Sequence, residues 1–280
     1  MRRARRRLYE TVGIVCAVAA IAVAESASAQ GLPADGDGAV SRLQSSPRHG
    51  EWVNYDAGGG DSVLAWVVYP ERSDKAPVVV VIHEIFGMSD WIRAVADQLA
   101  AEGFIAIAPD LLSGKGPGGG GTASLGQDVR SAIRELDSGE IERRLEAAAN
   151  YGTSLPAATN AVASVGFCWG GSTSFRFATM WSGLKAAVVY YGTSPDTESL
   201  SNVSAAVLGL YGGDDARVTA TVEGAQQEME RLGKRYEVEI YDGAGHGFLR
   251  QQSGRDGANM RATERAWPRT VEFLRAVLGG

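Results

Sequence analysis

Cysteine and histidine are scarce in this 280-residue chain, with two of the first and three of the second. Two cysteines, Cys16 and Cys168, can form at most one disulfide, which excludes a small disulfide-stapled scaffold. The histidines, His49, His83 and His246, fall at no metal-ligand spacing, so neither a metal nor an organic cofactor is expected. The N-terminal apolar run, VGIVCAVAAIAVA from Val12 to Ala24, is 13 residues long. A bilayer-spanning helix needs about 20, so no stable membrane span is expected. Positive charge is also short, with 27 Lys and Arg against 33 Asp and Glu and a net charge of −6. Nucleic acid and anionic membranes are therefore poor partners. There is no internal repeat.

What is present begins with export. MRRARRR, the apolar run and then Ala27-Ser28-Ala29 have the layout of a secretory signal peptide, with cleavage expected after Ala29 and a periplasmic or secreted product. Cleavage leaves 251 residues, enough for one sizeable core. It removes five arginines with Glu10 and Glu25, so the net charge becomes −9. It also removes Cys16, leaving Cys168 as a lone thiol in an oxidising compartment, where an unpaired thiol needs a reason.

Residues 30–50 are polar and rich in Gly, Ser and Pro, and read as a flexible lead-in to one domain over 51–280. Within that domain, apolar β-branched runs near Val63 to Tyr69, Val78 to His83, Ile105 to Ala108, Ala161 to Phe167, Ala186 to Tyr191, Ala206 to Tyr211 and Arg235 to Tyr241 alternate with helical patterns. VVVVIH lacks polar alternation, as a strand buried on both faces does. The rhythm predicts an α/β class with a mainly parallel, doubly wound sheet flanked by helices and a site at the strand ends. SGKGPGGGG, Ser113 to Gly121, follows a strand and reads as a mobile loop near that site or a plain connector.

One strand ends in GFCWGG, placing Cys168 between Gly166 and Gly170 at a strand-to-helix junction. The spacing G-x-C-x-G suits a nucleophile on a strained turn, where side chains two residues either side would clash. A helix N-terminus aimed at the sulfur would favour thiolate. Downstream strands end in YGGDDARV and YDGAGHGF, supplying Asp215 or Asp214 and then His246. Nucleophile, acid and histidine in that order make a Cys-His-Asp triad, in which the base takes the thiol proton and the carboxylate holds the base. Of the three histidines only His246 follows Cys168.

HEIFG at 83–87, GFIAIAPDLL at 103–112, GFCWGG at 166–171, YGGDD at 211–215 and GHGFLR at 245–250 together resemble the dienelactone hydrolases, the carboxymethylenebutenolidases of the α/β-hydrolase superfamily. The resemblance implies an α/β-hydrolase fold and hydrolysis of a dienelactone-type enol lactone or related ester through a covalent thioester. It implies that Glu84 governs the proton of Cys168, that the N–H groups of Ile85 and Trp169 hold the oxyanion, that Phe86 lines the pocket and that Arg250 binds a substrate carboxylate. Glu84 could instead form a structural ion pair with an arginine. The family's second carboxylate-binding arginine does not align here; Arg130 and Arg134 are candidates. The expected partner is a small lactone or ester, and the expected state a monomer. Export to a compartment where such lactones are not usually degraded keeps a different lactone, aryl ester or thioester open, as well as a non-catalytic binding role.

Overall fold

The computed structural model describes residues 31–279. The segment expected to be a signal peptide, with Cys16, lies outside the described residues. The strands are β1 (Gly50–Asp56), β2 (Ser62–Val68), β3 (Ala76–Ile82), β4 (Ile105–Pro109), β5 (Ala158–Phe167), β6 (Ala186–Tyr190), β7 (Ala206–Gly212) and β8 (Tyr236–Tyr241). The α-helices are α1 (Ala39–Ser45), α2 (Asp90–Ala101), α3 (Thr122–Leu125), α4 (Val129–Arg134), α5 (Ser138–Ser154), α6 (Trp169–Met180), α7 (Ala216–Thr219), α8 (Val222–Arg231) and α9 (Ala258–Leu278).

One sheet runs in the order β1-β2-β4-β3-β5-β6-β7-β8, with β2 antiparallel to both neighbours and the pairs from β4 to β8 parallel. All seven residues of β3 are buried, and its alternation splits them between two cores. Val79 and Val81 pack under α2 and α9, where Ile92, Leu99, Trp267 and Phe273 close one face. Val78, Val80 and Ile82 pack against Leu145, Phe177 and Met229 of α5, α6 and α8 on the other. A strand buried on both faces has no solvent side to mark with polar residues, which is why its sequence reads as an unbroken apolar run. The chain winds outward from β3 to β4 and then crosses back to β5. That reversal places the C-terminal ends of β3 and β5 side by side, with Ile82 opposite Gly166. Open α/β sheets bind ligands at such a switch point.

Two expectations are corrected. First, β1 was not foreseen: as an edge strand it alternates exposed and half-buried residues and pairs only with β2. Second, the lead-in is tied down from Pro33 onward. Its helix α1 packs on α2, with Ala39 buried. Arg42 Nε and Arg48 Nη2 reach the buried Asp97 at 3.0 and 2.7 Å, and Ser46 adds a hydroxyl. Burial alone would raise the Asp97 carboxyl, but hydrogen bonds from Arg48, Ser46 and Arg42 outweigh it and hold it below its usual range. The carbonyls of Pro33 and Ala34 accept from Gln252 and the Trp91 indole at 2.9 and 3.1 Å. Polar, Gly-rich composition marked this stretch as solvated, whereas its polar groups find partners in the folded body.

The loop from Ser113 to Gly121 is anchored at both ends on Asp110. Ser113 Oγ donates to the Asp110 carbonyl at 2.7 Å, while Thr122 donates its N–H and hydroxyl to the Asp110 carboxylate at 2.8 and 2.7 Å. After the loop, Val129 and Ile133 of α4 form a small apolar cluster with Leu112 and Trp169. No helix among the described residues is long and apolar enough to cross a membrane.

Candidate active site

Cys168 sits between β5 and α6 with φ 57° and ψ −116°, a conformation that a non-glycine residue holds only when its surroundings enforce it. The surrounding glycines explain how the turn is possible. A Cβ on Gly166 would collide with the Gly170 carbonyl, and a Cβ on Gly170 with the carbonyls of Ile82 and His83. The Cys168 N–H donates to the Tyr190 carbonyl at 3.0 Å, which ties the turn to the end of β6.

Two loops bring the partners. After β7 the chain places Asp215 at the start of α7, with its side chain free of any capping role. After β8 it places His246, and the loops are stitched together by Gly213 N–H to the Tyr241 carbonyl at 2.8 Å and Asp214 N–H to the Ala244 carbonyl at 3.0 Å. His246 Nδ1 lies 2.5 Å from Asp215 Oδ2, and its Nε2 lies 3.0 Å from Cys168 Sγ. Asp214 points away and pairs with Arg255 at 3.0 Å on the surface. Of the two candidate acids, it is Asp215 that meets the histidine.

The backbone N–H groups of Trp169 and Ile85 lie close enough to the Cys168 sulfur to favour its thiolate. Their pull does not prevail over the other influences on the thiol. Burial, then the Glu84 charge, push it above its ordinary value despite those donors and Arg217. The start of α6 does pull toward thiolate, but desolvation of a buried sulfur beside a carboxylate is the larger effect.

Glu84 is 2 % exposed, and burial raises its carboxyl to about 7 against the opposing pull of Arg250. Arg250 Nε lies 2.8 Å from Glu84 Oε2. Neither atom has an aligned hydrogen-bond partner, so the contact is an ion pair of poor geometry. Glu84 thus meets the arginine, as one of the two readings anticipated, while its charge is also felt by Cys168. Phe86 lies between two cations, with the Arg250 and Arg130 guanidinium carbons each 4.9 Å from its ring centre. That brings Arg130, one of two unassigned candidates, to the same edge of the site; among the described residues no contact brings Arg134 there.

Two residues here escaped the sequence reading. Tyr191 is fully buried with φ 40°, its ring 5.2 Å from that of His246 and edge-on to it, and its hydroxyl has no hydrogen-bond partner among the described residues. Burial, with Glu84 and Cys168 nearby, pushes that hydroxyl well above its ordinary value. Its only signal was position, at the end of the strand beside the elbow. His83 is the other, fully buried and stacked on Trp169. No group of three or more His, Cys, Asp or Glu side chains among the described residues is arranged to hold a metal.

A model of the dienelactone hydrolase family matches residues 63–278, which contain the sheet from β2 onward and every site residue above. The chain belongs to the dienelactone hydrolase family. It is a hydrolase of ester or lactone bonds with the α/β-hydrolase fold. Among curated relatives, a provisionally assigned carboxymethylenebutenolidase of Salmonella typhimurium is 31 % identical over 233 residues, covering 79 % of this chain and 85 % of the relative. One of Saccharolobus solfataricus is 30 % identical over 257 residues, covering 80 % and 98 %. Among solved structures, a provisionally assigned dienelactone hydrolase of Klebsiella pneumoniae superposes with a TM-score of 0.68 at 26 % identity, over 79 % of this chain and 98 % of that one. A dienelactone hydrolase-like promiscuous phosphotriesterase from metagenomic libraries gives 0.67 at 25 %, over 82 % and 98 %. For this dienelactone hydrolase family member, the elements that the family model spans are the ones that carry the elbow, the acid and the histidine.

Proposed function

We propose that this protein hydrolyses a dienelactone-type enol lactone or a related carboxylic ester through Cys168, His246 and Asp215, with a covalent thioester intermediate. The observation that carries the reading is the relay in one line: sulfur to imidazole at 3.0 Å and imidazole to carboxylate at 2.5 Å. His246 takes the thiol proton as Sγ attacks the carbonyl carbon. The N–H groups of Ile85 and Trp169, which already converge on the sulfur, stabilise the oxygen that becomes negative. Collapse expels the enolate or alkoxide, which takes the proton from His246 and leaves an acyl thioester. His246 then draws a proton from water, hydroxide adds to the thioester carbonyl, and thiol and carboxylic acid are released. Asp215 holds the ring and stabilises it when protonated.

The raised thiol suits this sequence of events. A resting thiol is less oxidisable than a standing thiolate, and an anionic substrate group that draws Arg250 off Glu84 would disturb the charge beside the sulfur. Arg250 and Arg130, both over Phe86, support a substrate bearing a carboxylate. The layout of residues 1–29 supports export and a periplasmic or secreted enzyme, and we take the working form to be a monomer.

The test is hydrolysis of a dienelactone, followed by its ultraviolet absorbance, beside a neutral aryl ester and the Cys168→Ala variant. Loss of dienelactone turnover in Cys168→Ala is the expected result. Turnover of the neutral ester alone would retain the triad and discard the acidic lactone, and turnover that survives Cys168→Ala would reject the mechanism.

A further inference from the structure

The two N–H donors that face Cys168 come from different parts of the chain, so something must hold them in register. We infer that His83 is the positioning residue that braces both halves of the oxyanion hole. This rests on the reading of Cys168 as nucleophile and of Ile85 and Trp169 as oxyanion donors.

His83 follows the last residue of β3 and is fully buried. Its Nδ1 lies 2.8 Å from the Glu84 carbonyl oxygen. Its Nε2 lies 3.3 Å from the Leu111 backbone nitrogen. A backbone N–H can only donate, so Nε2 must accept and carry no proton, and the neutral ring's proton is on Nδ1. His83 therefore donates to the Glu84 carbonyl. That carbonyl belongs to the peptide whose N–H is Ile85's, one of the two groups that favour the Cys168 thiolate. The same carbonyl accepts a second bond from Gly87 N–H at 3.1 Å. A peptide bonded at its oxygen is both fixed in orientation and polarised, which makes its N–H a better donor.

The other half is held through the ring face. The His83 imidazole stacks on Trp169, with centres 5.5 Å apart and planes 18° apart, and Trp169 supplies the second donor. Behind this, the Leu111 N–H that fixes the ring belongs to the turn that begins at Asp110, the residue that anchors both ends of the glycine-rich loop. One buried ring thus connects the ends of β3, β4 and β5 at the point where negative charge develops. The brace uses only the Glu84 backbone, so the Glu84 side chain keeps its contact with Arg250.

The prediction separates positioning from folding and from the nucleophile. His83→Phe keeps an aromatic ring for Trp169 but loses both polar contacts. Loss of a whole oxyanion donor costs roughly 10²–10³ in kcat, so misplacing one should lower kcat roughly 10- to 100-fold, with KM changed less than about threefold. Alkylation of Cys168 by iodoacetamide, with Cys168→Ala as blank, builds no oxyanion and should fall several-fold less than turnover, since it loses only the pull of the Ile85 N–H on the thiolate. His83→Gln, whose amide can still donate to the Glu84 carbonyl, should recover most of the lost kcat. A folded His83→Phe with kcat within about twofold of the unmutated protein, or with alkylation falling in step with turnover, would overturn the inference. Nitrogen NMR of the unmutated protein at pH 7 supplies a check that needs no variant: His83 should be the neutral Nδ1–H tautomer, and either the Nε2–H tautomer or imidazolium would overturn it. If Cys168→Ala retains turnover, the mechanism itself fails and the brace fails with it; if Cys168→Ala is inactive while His83→Phe is unaffected, only the brace fails.

Discussion

Two carboxylates serve this site from opposite sides, and their surroundings make them unlike. Asp215, at the end of β7, is 8 % exposed and meets His246 at 2.5 Å. Glu84, past the end of β3, is 2 % exposed and meets Arg250 in an ion pair that neither partner completes as a hydrogen bond. The first is committed to one partner that it orients. The second is held near neutrality, at about 7, because burial outweighs a poorly aligned cation. Similar chemistry therefore yields a fixed support on one side of the sulfur and an adjustable charge on the other.

The largest effect should come from the fixed side. Asp215→Asn removes the charge that supports His246 and allows the wrong tautomer, so kcat should fall by about 10²- to 10⁴-fold. Steady-state rates on the most reactive ester found would show it, and a loss of less than tenfold would contradict the assignment of a supporting role to Asp215.

The adjustable side should reveal itself through pH. Glu84→Gln should remove an inflection near pH 7 from the kcat/KM profile, because Glu84 titrates at about 7 in the free enzyme. Stability should respond as well. The Glu84 carboxyl is raised from 4.5 to about 7 on folding, so its contribution is complete below 4.5. As pH rises from there to about 7, the unfolded chain has already released the proton that the folded chain retains, and up to roughly 3 kcal/mol of stability is lost. Denaturant unfolding between pH 4 and 8 should therefore show a downward slope that Glu84→Gln flattens. An unchanged slope would mean that Glu84 is as easily ionised as an exposed glutamate.

A smaller, substrate-dependent effect is expected from Arg250→Ala, roughly 10- to 100-fold in kcat/KM for a carboxylate-bearing lactone and within about threefold for a neutral ester. Equal losses on both would remove Arg250 from substrate recognition and leave it as a partner of Glu84. The smallest effect belongs to Asp214→Asn. Its exposed pair with Arg255 lies outside the relay, so activity should stay within about twofold and stability within about 1 kcal/mol. A loss rivalling that of Asp215→Asn would erase the distinction between these neighbours.

Much of the site was legible along the chain. The elbow is a local demand: a cysteine at φ 57° between a strand and a helix needs glycine at 166 and 170, because carbonyls occupy the space that side chains would fill. The order Cys168, Asp215, His246 reflects the order of β5 and β7, which show as largely apolar runs, and of β8, where Val238 and Ile240 alternate with Glu237 and Glu239. The edge strand β1 did not show, since half its residues face water and its register comes from β2. The lead-in misled for a related reason. Its arginines and serine look solvated until Asp97, more than forty residues further on, is seen to be buried among them.

The sequence by itself determined the α/β rhythm, the strained cysteine turn and the chain order of Cys168, Asp215 and His246, because periodicity, glycine spacing and strand order are properties of neighbours along the chain. Only the tertiary structure decided that Asp215 rather than Asp214 reaches His246, that Glu84 meets Arg250, that the Cys168 thiol is raised rather than lowered, and that His83 meets the Glu84 carbonyl and stacks on Trp169. Each of these depends on burial and on charges brought together from distant segments. His246 and Cys168, for example, are 78 residues apart in sequence and 3.0 Å apart in space. Desolvation and Coulomb interactions are set by those spatial distances, and no local pattern encodes them.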